Sequence, residues 1–305
     1  MKIQTLIYGI YPKSEELRRS ISKYERGKIG NPEIAAEFEK EKKGLIEKFN
    51  SSGITYFSDP VLNWFDLFRP FSLIFHGIEL GQLTRYKETN TFFRLPVVHD
   101  TGDNNISYEK LLEGKENPPV ELFSSSSANG HLAFFPGAHS FYAMSDVRRN
   151  ISEEEFSAFI AKNYALIMKK FGMRGAVIFD PIEYGKSSLS YLNQIIGKYP
   201  VYLVSSGKLS SQNFEGLSTK PASIISDPEK GNFEISAENS SVPGIKIIDA
   251  RNTLMESASE VRHTISKMAG DGGADTVIVA NTESFDFLPR LVADRKVDMM
   301  GKLGE

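Results

Sequence analysis

The segment RGAVIFDPIEYGK, residues 174–186, decides the fold that the sequence predicts. Its apolar run at 176–179 contains β-branched residues and ends shortly before Pro181, which is typical of a strand buried on both faces in a parallel sheet. Two carboxylates, Asp180 and Glu183, follow the run. Because parallel strands carry their chemistry at their carboxyl ends, the segment predicts a strand that brings two acids to a site. The alternative is an ordinary strand–loop junction in which Asp180 caps a turn.

Seven further segments have strand patterns, and helical patterns lie between many of them. The eight predicted strands are residues 3–10, 54–57, 91–99, 132–135, 176–179, 201–204, 245–248 and 276–280. Strands that alternate with helices predict an α/β protein, a single (β/α)8 TIM barrel over residues 1–305. A doubly wound sheet is the alternative. Polar stretches near 100–130 and 227–242 are predicted as surface insertions.

The composition excludes several classes of protein and of site. The 305 residues are 40% hydrophobic and 25% charged, with a net charge of -3, which is ordinary for a globular protein and gives no field that attracts nucleic acid or an anionic membrane. Residues 1–14 contain no signal-peptide cleavage pattern, so we expect a cytoplasmic protein. The absence of cysteine excludes disulfides, a cysteine nucleophile and any thiolate metal site.

Polar side chains follow most of the predicted strands, and in a barrel they would converge on one mouth. The set comprises Tyr8, Lys13, Asp59, Arg94, His99, His139, Asp180, Glu183, Ser205, Ser206, Asp249, Arg251, Asn252, Asn281 and Glu283. Asp180, Glu183 and His139 are the candidate catalytic residues, because carboxylates and imidazoles can move protons.

Other members of this set are candidates for binding a substrate. They are Arg94, His99, Asp249, Arg251 and Asn252. Arg251 can clamp a carboxylate or phosphate with two hydrogen bonds, or it can pair with a neighbouring strand-end acid. His99, His139 and Asp180 are the conceivable zinc ligands, but nothing in their spacing demands a metal. We expect the chain to bind none.

A series of motifs in order along the chain resembles the cobalamin-independent methionine synthase family. The motifs are GIYPKSEELRRSISKYERGKI at 9–29, WFDLFRPF at 64–71, TNTFFRLP at 89–96, FPGAHSF at 135–141, FDP at 179–181, IIDARNT at 247–253 and FDFLPRLVADRK at 285–296. The resemblance covers most of the chain.

The resemblance implies both a fold and an activity. Full-length members have two (β/α)8 barrels: the carboxy-terminal barrel binds the zinc that activates the homocysteine thiol, and the amino-terminal barrel lacks metal and helps to hold the glutamate tail of the folate. A one-barrel chain without cysteine resembles the amino-terminal half. The resemblance therefore implies that this chain takes part in methyl transfer in methionine biosynthesis, with a small-molecule methyl donor. It also implies a partner, a separate zinc-bearing chain of the carboxy-terminal type, and no cofactor bound by this chain.

The chain also departs from the family pattern. The opening glycine–x–proline–arginine is one residue longer here and ends in Lys13, and the strand-five motif has one acid where two are usual. Lys13, Arg18 and Arg19 supply the positive charge that the resemblance assigns to an anionic tail. Two other functions therefore stay open: a non-catalytic binding or regulatory subunit, and an independent barrel enzyme that uses Asp180 and Glu183 as acid and base.

The segment WFDLFRPFSLIF at 64–75 is the predicted contact with a partner. It contains the only tryptophan, Trp64, and several other large apolar groups beside Arg69. Exposed aromatic and arginine side chains are typical of interfaces. We therefore expect Trp64 or its neighbours to contact a zinc-bearing chain or a second copy of this one.

Overall fold

The computed structural model describes residues 1–86, 91–102, 105–113, 121–124, 128–230, 233–270 and 274–304. The strands are β1 Lys2–Ile7, β2 Tyr56–Ser58, β3 Ile78–Arg85, β4 Phe92–Val98, β5 His131–Pro136, β6 Asp146–Val147, β7 Ala176–Asp180, β8 Val201–Ser205, β9 Ser223–Ser226, β10 Val242–Ile248 and β11 Thr276–Asn281. Eight of them form a closed barrel in the order β1-β11-β10-β9-β8-β7-β5-β2. All the pairings within the barrel are parallel.

The helices lie in the connections between the strands. They are α1 Glu15–Glu25, α2 Asn31–Ser51, α3 Arg69–Ile74, α4 Glu109–Leu112, α5 Ala138–Ala143, α6 Glu153–Phe171, α7 Asn193–Ile196, α8 Phe233–Asn239, α9 Ala258–Gly270 and α10 Arg290–Gly301. This arrangement confirms the predicted (β/α)8 TIM barrel. None of the helices in the described ranges is long and apolar enough to cross a membrane.

One predicted barrel strand was assigned to the wrong sheet. The segment 91–99 forms β4, which pairs antiparallel with β3 and parallel with β6 in a separate three-stranded sheet. The barrel strand that the sequence did not reveal is β9, whose residues are SIIS. Two of its four residues are buried serines, Ser223 and Ser226, so it lacks the apolar run that marks the other strands.

The predicted insertion at 227–242 is wrong in the same region. It contains α8, which lies between the barrel strands β9 and β10 and is therefore part of a regular connection. The Ser236 hydroxyl on α8 donates to the Ile224 carbonyl of β9 at 2.6 Å and ties the helix to the wall. In the predicted insertion near 100–130 the structure places α4. Residues 125–127 of the serine run lie outside the described residues.

Two helix starts follow the sequence signals. The Ser14 hydroxyl accepts from the Leu17 amide at 3.1 Å and caps α1. The Ser152 hydroxyl accepts from the Glu155 amide at 3.1 Å and caps α6, whose first turn is acidic as the helix dipole favours. Inside the barrel Tyr8, Phe134 and the half-buried Phe179 pack together, so the interior is a filled core below the mouth.

Trp64 is buried, so the predicted partner contact cannot use its side chain. The residue is 1% exposed, and its ring packs edge-on against Phe71 at 5.3 Å. Its neighbour Phe65 is 49% exposed and lies beside the Arg69 guanidinium, 5.1 Å from the ring centre. The large apolar groups of this segment are mostly core because they fill the space around β5 and α6. An interface here would have to use Phe65.

Candidate functional site

A buried lysine occupies the centre of the barrel mouth. Lys246 lies on β10, and its ammonium donates to the Ser206 hydroxyl at 3.0 Å. Ser206 follows β8, and β9 separates β8 from β10, so the side chain reaches past one strand to make this bond. Lys246 is 5% exposed. The strand thus directs a primary amine inward, at the end of the barrel where the carboxyl ends of the strands open.

A second lysine approaches the same serine. Lys230 follows β9, and its ammonium donates to the Ser206 carbonyl. Asp227 begins the same turn, where its carboxylate accepts from the Glu229 amide at 3.0 Å. Lys230, from the connection after β9, and Lys246, from β10, therefore bring two amines to Ser206.

The surroundings change the acidity of Lys246. Burial lowers its pKa to about 8. The Lys230 charge acts in the same direction, and the carboxylates of Asp227 and Glu283 oppose the shift. The amine is therefore mostly protonated at neutral pH but loses its proton far more easily than a surface lysine. Such a group can bind an anion or, when deprotonated, act as a base or nucleophile.

The floor of the mouth is aromatic. The Tyr8 ring lies 5.3 Å from Phe179, and its hydroxyl donates to the Thr282 carbonyl at 2.9 Å. Burial raises the pKa of Tyr8 well above its ordinary value, and the charges of Glu283 and Asp227 raise it further. Tyr8 therefore stays a neutral phenol. The Asn281 side chain accepts from the Tyr8 amide and donates to its carbonyl, and so fixes this strand end.

The predicted DARN segment lies at the rim. The Arg251 guanidinium pairs with Glu283 at 2.7 Å and lies 4.9 Å from the centre of the Phe287 ring, with 57% of its side chain exposed. The structure thus gives Arg251 its alternative role, an ion pair with a strand-end acid. The Asp249 carboxylate accepts from the amides of Arg251 and Asn252 and shapes the turn.

The predicted cations Lys13, Arg18 and Arg19 belong to the connection after β1. In the barrel β1 pairs with β11, on the side of β11 away from β10. Burial lowers the pKa of Lys13, while Asp286 and Glu41 oppose that shift. Partial dehydration raises the pKa of Asp286 to about 6, against the effect of the Lys13 charge.

The two arginines of this connection lie on α1 and are exposed. Arg19 pairs with Glu15 one turn away. Within the described ranges the Arg18 side chain makes no hydrogen bond or ion pair, which leaves its charge available to an anion.

Asp180 ends β7 at the mouth end of the barrel, where its carbonyl accepts from the Ser206 amide at 3.0 Å, but its side chain is buried. Its side chain is fully buried and accepts from the Ser140 amide at 3.0 Å and from the Tyr184 hydroxyl. Burial raises its pKa, and the hydrogen bonds from Tyr184 and Ser140 oppose the shift. A Cβ atom at Gly137 would lie 1.7 Å from a carboxylate oxygen of Asp180, so only glycine fits there. In this structure Asp180 ties the start of α5 to β7 and is not accessible to a ligand.

His139 and Glu183 meet, but not as an acid–base pair. One ring nitrogen of His139 lies 2.8 Å from a carboxylate oxygen of Glu153, and the other lies 2.9 Å from the Glu183 carbonyl. Both partners accept, so both nitrogens must donate, which requires the imidazolium form. Burial alone would lower the pKa of His139, but the bond to Glu153 and the Glu183 carbonyl outweigh it, and the pKa is raised. The exposed Glu183 side chain is not part of this contact.

Arg94 and His99 belong to the small sheet and not to the barrel wall. The Arg94 guanidinium donates to the Gly81 carbonyl at 3.3 Å, and a His99 ring nitrogen lies 3.3 Å from the Glu79 carboxylate. The His99 side chain is 45% exposed. The prediction that both follow a barrel strand failed because β4 is not one.

A separate cleft lies between this sheet and α5. Its volume is about 300 Å³, and its lining includes Arg85, Tyr86, Phe93, Met144 and Ile182. The lining is mostly apolar and contains none of the predicted site residues, so the mouth remains the better candidate.

The zinc ligand set that the resemblance assigns to the carboxy-terminal barrel has no counterpart in the described part of this chain. No cysteine is present, and within the described ranges no three histidine, aspartate or glutamate side chains converge as metal ligands would. The residues do not fit a catalytic zinc, and we derive no step through one. That the purified chain binds no zinc remains a prediction.

Three residues of the mouth were missed from the sequence: Lys246, Lys230 and Asp227. Lys246 was visible as the one charge inside the apolar run GIKII at 244–248, which should have marked it. Asp227 and Lys230 fell into the supposed insertion because β9 was not recognised.

Comparison with known proteins supports the fold, through similar solved structures, but gives no match to a known sequence family. No family model and no curated protein matches the sequence. Two solved structures are similar over nearly all of the chain. A B12-independent methionine synthase from Shewanella sp. W3-18-1, in complex with selenomethionine, has a TM-score of 0.64 at 13% identity, covering 100% of this chain and 97% of that one. A putative vitamin-B12-independent methionine synthase from Listeria monocytogenes has a TM-score of 0.66 at 13% identity, covering 97% and 95%.

Proposed function

We propose that this chain takes part in methyl transfer to homocysteine, as a metal-free barrel of the cobalamin-independent methionine synthase type. The observation that carries the proposal is the similarity of the barrel, over nearly its whole length, to two structures described as methionine synthases. The ordered motifs of the sequence point the same way and are independent of that similarity. An identity of 13% does not define the substrate, so the substrate class is inferred from the residues of the barrel mouth.

The chemistry of the mouth suits an amino acid. Lys246 and Lys230 offer positive charge around Ser206, and Asp227 offers negative charge from the same turn as Lys230. An α-amino acid carries one carboxylate and one ammonium and needs both kinds of partner. One structural neighbour binds selenomethionine, an amino acid of this kind.

This chain would contribute by binding and orienting the substrates, which raises the reaction rate because the reacting groups are held in position. The sequence has no thiolate, and the described residues include no metal-ligand set that could activate a thiol, so we propose that a separate zinc-bearing chain supplies that step. Lys13 and Arg18 would hold an anionic part of the methyl donor from the first connection. The same lack of metal ligands favours a second candidate, a binding or regulatory subunit without catalytic chemistry.

Activity assays of the separate and mixed chains test the proposal. Methionine formation from homocysteine and 5-methyltetrahydrofolate is measured with this chain, with the candidate zinc-bearing chain and with both. The proposed function expects activity in the mixture above that of either chain. A mixture no more active than the zinc-bearing chain alone, with the two chains co-purifying, would instead identify a binding or regulatory subunit.

A charge variant with a matched control separates binding from folding. Lys13→Met should raise KM for the methyl donor in the mixture and leave kcat nearly unchanged, because it removes binding and no chemistry. Lys23→Met, which removes an exposed charge from the far end of α1, should change neither. Equal effects of both substitutions would refute a donor site at Lys13.

A further inference from the structure

The buried ammonium of Lys246 makes no ion pair with any residue that the structure describes. A lysine ammonium has three donors, and Lys246 uses one of them, toward the Ser206 hydroxyl. No carboxylate in the described ranges lies within ion-pair distance of it, although the residue is only 5% exposed. Buried charges in proteins are paired as a rule, because dehydration without a partner is costly. The geometry is that of a cation whose anion comes from outside the chain.

A second cation points to the form of that anion. The Lys230 ammonium reaches the carbonyl of the same serine and, in the part of the chain that the structure describes, also has no carboxylate partner. Two ammonium groups that converge on one residue match the two oxygens of a carboxylate. The exposed Lys230 lies toward solvent and the buried Lys246 toward the barrel axis, so a ligand would enter past the first to reach the second.

We propose that Lys246 and Lys230 form a carboxylate-binding site in the barrel mouth, with the Ser206 hydroxyl between them. The ligand class is a small carboxylic acid. The choice of an α-amino acid within that class rests on the proposed function, with Asp227 as the partner of the ligand ammonium. Glu283 is less suited to this role because Arg251 already neutralises it at 2.7 Å.

The site has a pH dependence that follows from the mouth charges. Burial and Lys230 lower the pKa of Lys246 to about 8, opposed by Asp227 and Glu283. A bound carboxylate adds a negative charge and raises that pKa, so binding takes up a proton near pH 8. Affinity should therefore fall as the pH rises above about 8.

The direct test follows the Lys246 side chain by NMR in ¹³C-lysine-labelled wild-type protein, with the resonance assigned by its loss in Lys246→Met. Propionate and L-methionine are titrated separately, and the pKa of Lys246 is measured with each. The site predicts an upward shift with propionate and with methionine. If neither probe moves the Lys246 pKa, the carboxylate site is refuted. A shift with propionate alone keeps the site and removes the amino-acid ligand, and with it the proposed function.

Calorimetry measures ligand affinity in the wild-type protein and in a matched pair of variants. Wild-type protein should bind L-methionine at least roughly tenfold more tightly than L-methioninol, which lacks the carboxylate. Lys246→Met should lose this discrimination, while Lys208→Met, which changes an exposed lysine in the connection after β8, should keep it. If Lys246→Met binds methionine as the wild type does, the site is refuted while the proposed function stands. If Lys246→Met does not fold, Lys246→Arg, which removes the lysine resonance and keeps the charge, supplies the assignment for the NMR test on wild-type protein.

Discussion

Substitution of Asp59 tests the most deeply buried ion pair of the barrel. Asp59 follows β2, and its carboxylate lies 3.7 Å from the Lys42 ammonium of α2, with both side chains fully buried. It also accepts from the Ser124 amide at 2.7 Å and lies 3.4 Å from a ring nitrogen of His131. These partners fix the loop after β2 against the segment near 124. Asp59→Asn keeps the shape but leaves the Lys42 charge buried without compensation.

The expected loss can be worked out in two ways. Removal of one partner of a buried ion pair typically costs about 3–5 kcal/mol of the free energy of unfolding. Separately, burial would raise the pKa of Asp59, but Lys42, His131 and Ser124 outweigh it and hold the pKa at about 2, below its ordinary value of 3.8. A depression of that size corresponds to roughly 2–3 kcal/mol. We therefore expect a loss of about 2–5 kcal/mol.

Urea unfolding at pH 7 measures the loss, with Asp298→Asn as control. Asp298 pairs at 2.8 Å with Lys48 of the same helix α2, but its side chain is 52% exposed, so its loss should cost less than about 1 kcal/mol. Lys42→Met combined with Asp59→Leu removes both charges and should recover much of the stability. Because the Asp59 pKa is lowered, the contribution is present above pH 3.8 and is lost as the pH falls toward 2. Equal effects of Asp59→Asn and Asp298→Asn would refute this reasoning.

Three further predictions concern the candidate site. Asp180→Asn should lower the free energy of unfolding by about 1–3 kcal/mol, because the new amide NH₂ would face one of the two groups, the Ser140 amide and the Tyr184 hydroxyl, that now donate to the buried carboxylate. Unchanged urea unfolding together with weakened ligand binding would instead make Asp180 a ligand-binding residue. The pKa of His139 is raised, so its bond to Glu153 should stabilise the protein fully below the ordinary histidine pKa and fade as the pH rises through the raised value. NMR titration of the ring, with His139→Gln as the variant without this pH dependence, should show it, and an unshifted titration would contradict it. Elemental analysis after chelator treatment should find no stoichiometric zinc, since the chain has no thiolate; about one zinc per chain would revive a site at His99 or His139.

The wall of the barrel could be predicted because burial on both faces marks a strand locally. Strands β1, β2, β5, β7, β8, β10 and β11 each overlap a predicted segment, with boundaries that shift by a few residues. At β7 the predicted residues 176–179 all lie in the strand, which extends one residue further, to Asp180. Two packed faces demand apolar residues in succession, and a short run of them is visible without knowledge of the neighbours.

Strand β9 could not be found in this way. Its serines are buried because α8 and the adjoining strands cover them, and that cover is absent from the local pattern. The segment of β4 has a true strand pattern, but its pairing with β3 and β6 is a property of the assembled sheet. The prediction counted β4 as a barrel strand and missed β9. The predicted number of barrel strands, eight, is therefore correct although one of the eight segments is not.

The sequence by itself determined the class of fold, the absence of thiolate chemistry and the identity of most polar residues near the strand ends. The tertiary structure alone decided where their side chains point. Asp180 lies at the carboxyl end of its strand as predicted, yet its side chain is buried against Gly137 and the Ser140 amide. Lys246 sits inside an apolar run, yet its ammonium reaches past β9 to Ser206. Burial periodicity is a local property that the chain records, whereas the direction of a side chain at a strand end depends on the hydrogen bonds and charges that distant segments bring to it.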